Sequence, residues 1–418
     1  MNFMKNNKWL QTYLLIWSGQ FISMLTSYAV HFAIIIWLSL EHRSPEVLAY
    51  AGIAGMLPQA LIGPFAGVFI DRWNRKKVMI VSDAFLALCA LVMVFLLRNE
   101  TINLSWIYLM LGLRSVGNAF HGPSLQAVTP LIVPESELLR VSGINQVLQS
   151  VSSIAGPAVG TLAITYLSIS KVLYLDIIGA AVAITSLLFV TIPHLKTEVK
   201  TSVRTVITEL KDGCNVVLKN KGLSYLFLYA MVATFFIMPI AIMFPLLTIE
   251  YYNGGKWEMS IVEIAWGVGM LIGGMILGAF KVTTSKIILI NTMHLITGFS
   301  FILSGGMPSE WFIGLVIATA LGGIALAVFS ASFTTVLQTT ISSNMLGRVF
   351  SLYFSLAVLP SVIGLLFTGL IAEQVGVTNA FLICGILVIL IGIVSFLTPS
   401  LMQLGKQKRV GSEEAPTL

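Results

Sequence analysis

Seven ionisable side chains stand inside long apolar runs: His31, Asp83, Arg114, His121, Asp176, Glu263 and His294. A charge surrounded by lipid is expensive, so such a group is paired, solvated or put to use. Arg114 lies deepest, about ten residues from either end of its run. It must find a carboxylate, a carbonyl or water. A buried carboxylate that binds either a proton or a cationic ligand, but not both, can exchange one for the other. Glu263 is the first candidate for that acid and Asp176 the second, with Asp83 and Arg114 completing the set. Asp83 follows a cationic turn closely enough to belong with Arg75 and Lys76 instead. The plain alternatives are a static structural pair for Arg114, a solvated helix-start acid for Glu263 and simple packing for the histidines.

The cationic turn is the stretch GVFIDRWNRKKVMIV, Gly67 to Val81. Its cations fit a topological signal, but Asp71 among them needs a positive partner. A later run begins near Arg348, and a helix start carries roughly half a positive charge. The sequence therefore predicts a latch made of Gly67, Asp71, Arg72, Arg75, Lys76 and Arg348. Gly63 and Gly67 would let helices approach beneath it.

The run VSGINQVLQSVSSIAGPAVGTL carries Gly143, Ser152, Gly156, Pro157 and Gly160. Proline removes a backbone donor and kinks a helix. Small residues at 152, 156 and 160 form a stripe that admits another helix, and glycine-rich 258–280 is the expected neighbour. Adaptable apolar and aromatic side chains suit a bulky, greasy ligand. Trp17, Gln20, Met24, Tyr28, His31, Asn118, His121, Met231, Phe235, Phe236 and Met238 are the candidates for such a cavity. Each also has an ordinary packing role open to it.

The elements that must position these groups are membrane helices. The 418 residues are 57% hydrophobic and 10% charged, with a mean hydropathy of +0.92. A soluble chain carries about 25% charged residues. Twelve runs reach spanning length: 11–40, 47–70, 78–97, 104–128, 141–167, 171–192, 223–249, 258–280, 287–304, 311–336, 349–372 and 378–399. With both termini cytoplasmic, nineteen of the 24 lysines and arginines fall on the cytoplasmic side, as the positive-inside rule requires. The net charge of +6 is thus topological and not a nucleic-acid face. The expected division is a six-helix bundle at 1–192, a cytoplasmic linker at 193–222, a second bundle at 223–399 and a cytoplasmic tail at 400–418. The halves echo each other: Gly63 and Gly67 match Gly274 and Gly278, Arg140 matches Arg348, and Gly156 matches Gly364. Such echoes mark an internally repeated transporter. Three scattered cysteines offer no disulfide or metal framework. No phosphate loop for nucleotide hydrolysis occurs, so an ion gradient is the expected energy source.

Gly67-x-x-x-Asp71-Arg72-x-x-Arg75-Lys76-Lys77 resembles the signature loop of the major facilitator superfamily, with Asn74 where a glycine is usual. The segments Phe120–Glu135, Met243–Leu246, Gly269–Gly278 and Leu346–Leu352 bring the chain closest to the bacterial macrolide efflux branch. The 143–160 pattern is similar to the fifth-helix motif of that superfamily's antiporters. The resemblance implies an all-α fold of twelve transmembrane helices in two pseudo-symmetric bundles, and alternating access through a central cavity lined in part by the fourth helix. It also implies drug export against protons, without a cofactor or metal, by a monomer in the bacterial cytoplasmic membrane, with lipid around it and no nucleic-acid partner. Fluoroquinolones, siderophores, peptides or several drugs at once are alternative cargoes. A membrane-embedded enzyme would need more than His42 and Glu46, and the short loops leave a sensor no sizeable soluble domain.

Overall fold

The structure, a computed structural model, describes residues 8–98, 103–134, 137–192, 203–279, 284–341 and 343–404. The terminal tail, Lys5, Lys196, Lys200 and Lys281 lie outside these, as do the side chains of Asp71, Arg72 and Arg140 and the surroundings of Gly67 and Gly143. The described residues are almost wholly helical. A backbone in lipid must satisfy its own hydrogen bonds, and the helix does so within one segment.

The chain forms two compact units, Met1–Val206 with Thr248–Ile264, and Ile207–Leu247 with Ala265–Leu418. The first unit contains α1 (Lys8–His42), α2 (Pro45–Arg72), α3 (Arg75–Leu96), α4 (Leu104–Ile132), α5 (Leu138–Tyr166), α6 (Ile169–Val172) and α7 (Tyr174–Leu188). Then come α8 (Val203–Lys219), α9 (Lys221–Glu250) and α10 (Lys256–Ala279). The second unit continues with α11 (Lys286–Gly306), α12 (Phe312–Thr340), α13 (Ser343–Val375), α14 (Val377–Phe396) and α15 (Pro399–Leu404). The span expected at 171–192 is thus two helices, α6 and α7, meeting at Leu173. The end of α9 and the start of α10 group with the first unit, where the Lys256 ammonium donates to the Ile164 carbonyl at 2.9 Å.

Sequence chemistry sets the helix starts. Ser44 caps α2 ahead of Pro45, and its hydroxyl accepts from the Val47 amide. Asn74 caps α3 by accepting from the Lys77 amide at 3.1 Å. The residue that departs from the superfamily's glycine therefore has a local function. Gly376, at φ 86°, turns the chain between α13 and α14 in a conformation open to glycine.

Eleven helical runs are long and apolar enough to cross a membrane, among the described residues, with α6 and α7 together forming one of them, Ile169–Leu188. The 29-residue α4 is not among them, because it carries Arg114, Ser115, Asn118, His121 and Ser124. Within 193–222, read from sequence as a plain linker, α8 is amphipathic. Its Val217 is buried in the second unit's core with Leu223, Ile341, Val349 and Leu352.

The two units repeat their internal pairings. In the first, α3 packs on α4 and α7; in the second, α11 packs on α12 and α14. Gly156 of α5 and Gly364 of α13 each abut the first long helix of their own unit. A Cβ added at Gly156 would lie 2.5 Å from Tyr28 Cβ, and one at Gly364 would lie 2.0 Å from the Phe235 carbonyl oxygen. This corrects the expectation that the stripe at 152–160 meets the glycines of 258–280. Gly160 packs on Ala29 of α1, while Gly269 and Gly273 pack on Ala320 and Ile324 of α12. The small residues bring together helices within one unit, where continuous close contact is strongest.

Candidate proton-coupling site

Four helices of the first unit, α1, α3, α4 and α7, bring the buried polar groups together. Gly179 sets how closely α7 approaches α1: a Cβ there would lie 2.0 Å from Thr26 Oγ1 and 3.1 Å from Ser23 Cα. That approach delivers Asp176, one turn earlier on α7, to Ser27. The Ser27 hydroxyl donates to Asp176 Oδ1 at 2.6 Å. Arg114 of α4 donates through Nη1 to Asp176 Oδ2, closing an ion pair whose side chains are only 9% and 3% exposed. A pair so far removed from water holds together because each charge satisfies the other, and loss of one partner strands its mate.

A second group lies on the same helices. Asp83 of α3 is 1% exposed. Gln20 of α1 donates to its Oδ2 at 3.3 Å. His121 of α4 brings Nε2 within 3.1 Å of Oδ1, at ion-pair distance but off the line of a hydrogen bond. Gln20 and Ser27 are seven residues apart on α1, and Arg114 and His121 are seven apart on α4. Seven residues are nearly two whole turns, about 10 Å along a helix. The two groups therefore form stacked polar layers between the same helices.

The expectation that Asp83 belongs with Arg75 and Lys76 is corrected here. Arg75 Nη1 donates to the Ala127 carbonyl at 2.8 Å and Lys76 Nζ to the Val190 carbonyl at 2.7 Å. Both cations serve backbone oxygens near helix ends, where the helix dipole is negative. Asp83, two turns further along α3, faces α1 and α4 instead. Arg348 is held by Asp212 of α8 at 3.0 Å, a partner the sequence did not suggest. Glu263 stands half-buried on α10 with no hydrogen-bond or ion-pair partner among the described residues.

Of the expected cavity residues, two are corrected. Trp17 is 6% exposed and stacked on Tyr13 at 4.5 Å within the core. Gln20 is buried against Asp83 and serves the acid. Met231 packs against the second unit's core, and Phe235 meets Phe236 edge-on at 4.9 Å. Met24, Tyr28 and Met238 are half-buried, and His31 and Asn118 are exposed. Ser152 is fully buried, and α5 stays helical through Pro157. The role of Ser27 was missed in the sequence. Its signal was the shared seven-residue spacing on two helices that both carry polar residues.

A family model described as Major Facilitator Superfamily matches residues 16–309. Macrolide efflux protein A of Streptococcus pyogenes is 38% identical over 390 residues, covering 93% of this chain and 96% of that protein. The protein of the same name from Enterococcus faecalis is 38% identical over 313 residues, covering 75% and 97%. Among solved structures, the nucleoside transporter NupG superposes with a TM-score of 0.67 at 14% identity, covering 95% of this chain and 100% of that one.

Proposed function

Since the chain belongs to the major facilitator superfamily, and is a transporter and not an enzyme, we propose that it exports amphipathic drugs, macrolides first among them, in exchange for protons. The observation that carries the proposal is the buried contact of Asp176 with Arg114 and Ser27, an acid held by one cation and one hydroxyl on neighbouring helices. Similarity to macrolide efflux proteins over nearly the full length supports the cargo. In the proposed cycle Asp176 holds either a proton or its pair with Arg114. Protonation from outside frees Arg114, and loss of the proton to the cytoplasm restores the pair. A macrolide carries a basic amine, so drug and proton compete for acidic groups along the same route. Glu263, half-buried and unpaired among the described residues, is a second acid for that competition. Met24 and Tyr28 of α1 and, in the other unit, Phe235, Phe236 and Met238 of α9 are each half-buried side chains of the kind that suits a bulky apolar cargo.

The test is a drug-linked proton flux. Liposomes containing the purified protein and a trapped pH dye should acidify or alkalinise when an erythromycin gradient is imposed, beyond the change in protein-free vesicles. Equal signals with and without the protein would refute proton exchange.

A further inference from the structure

The second polar layer has no part in the cycle above, although its acid is more deeply buried than Asp176. We propose that Asp83 and His121, oriented by Gln20, form a second proton-carrying site through which the proton passes between Asp176 and the side of the membrane holding the α2–α3 turn. The inference rests on the proton-exchange reading and adds a route to it.

Three observations point this way. First, the layer lies where such a route must run. It is offset from the Arg114–Asp176 layer by two turns on both α1 and α4, toward the α2–α3 end of the bundle. Second, the layer is not a saturated structural network. Gln20 is 3% exposed, and its Oε1 has no hydrogen-bond partner among the described residues, so a buried acceptor is left beside the acid. A group retained only for packing would not leave that cost unmet. Third, the fold does not require the charge. α11 occupies the matching place in the second unit, pairing with α12 and α14 as α3 pairs with α4 and α7. It carries no carboxylate along its whole length, and its buried polar residues, Asn291, His294, Thr297, Ser300 and Ser304, are all uncharged or imidazole groups. The acid is therefore peculiar to the unit that contains Asp176.

The groups around Asp83 are few. His121 and Gln20 face it from α4 and α1. On α7 the carboxylate is Asp176, already engaged by Arg114. On α3 itself the cations Arg75 and Lys76 are turned to backbone oxygens. The His121 side chain is 17% exposed against 1% for Asp83, so it is the layer's outlet. The transfer is balanced. The O–H of Asp176 breaks, its carboxylate re-pairs with Arg114, and one new O–H or N–H forms on Asp83 or His121. That proton then leaves through His121 to water.

The experiment uses the full chain with Asp83→Asn and, as a milder change, His121→Gln. Infrared pH-difference spectra of the purified protein should show a carboxyl band that is absent in Asp83→Asn and displaced in His121→Gln. In liposomes, both variants should keep erythromycin exchange at equal pH on both sides. Their gradient-driven transport should shift its pH midpoint by about one unit, a tenfold change in proton occupancy. No titrating carboxyl attributable to Asp83, or unshifted profiles in both variants while the wild type is proton-driven, would overturn the site. Loss of equal-pH exchange along with driven transport in both variants would also overturn it, because the layer would then be structural. A wild type without proton-driven transport would refute the exchange reading itself and this route with it.

Discussion

At the residue scale the deciding quantity is the cost of an unpaired buried charge. Asp176 and Arg114 sit at 3% and 9% side-chain exposure, so removing either leaves the other charged and without water. Breaking such a pair costs about 3–5 kcal/mol, whereas replacing both partners by apolar groups of similar volume is often neutral. Asp176→Ala should therefore lower the unfolding temperature of the purified protein sharply. The double variant Asp176→Leu with Arg114→Met should recover most of that stability while transporting no drug. Recovery of transport along with stability would make the pair purely structural. Both residues stood out in the sequence as ionisable groups in apolar runs, but their pairing did not. They are 62 residues apart, and α7 is apolar nearly all round, so it gives no hydrophobic face from which its rotation can be inferred. The same gap explains why Asp83 was assigned to the cations nearest in sequence when its partners lie across the bundle.

At the scale of elements, glycine positions divide into those that are filled and those that are open. A Cβ at Gly160 would lie 2.3 Å from the Ala29 carbonyl oxygen, a backbone atom that cannot yield without moving α1. A Cβ at Gly63 meets nothing within 4 Å. Gly160→Ala should therefore destabilise by about 1–3 kcal/mol through overpacking. Gly63→Ala should be neutral or stabilise by about 0.5–1 kcal/mol, because a helical glycine loses more backbone freedom on folding than alanine. Thermal unfolding in detergent reads both, and equal effects would show that α1 and α5 are not packed as described. Helix boundaries were legible from hydropathy and capping residues, as at Ser44 and Asn74. The partner of the 152–160 stripe was not, since small-residue spacing says that a helix approaches but not which one. α8 is legible from the helical spacing of its apolar positions Ile207, Leu210, Cys214 and Val217, although the lysines among them also fit a cytoplasmic loop.

At the scale of the whole molecule the protein is a multi-pass transporter of the plasma membrane, and its span count turns on α4. Eleven helical runs are apolar enough to cross unaided, among the described residues. α4 carries Arg114 and His121, and its polar side is turned toward α1, α3 and α7 through the two layers. A helix whose charges are met by its neighbours can cross lipid that it could not enter alone. A twelve-span topology, in which α4 crosses, would place Trp73, at the α2–α3 turn, and Ser168, ahead of α6, on opposite sides of the membrane. Without an α4 crossing they would share one side. In a background with Cys89, Cys214 and Cys384 replaced by serine, Ser168→Cys should react with an impermeant maleimide on intact cells, while Trp73→Cys reacts only after the cells are opened. Protection of both would mean that α4 stays on one face. The arrangement of both termini in the cytoplasm would fall with it, as would a proton path that runs along α4 from one side of the membrane to the other.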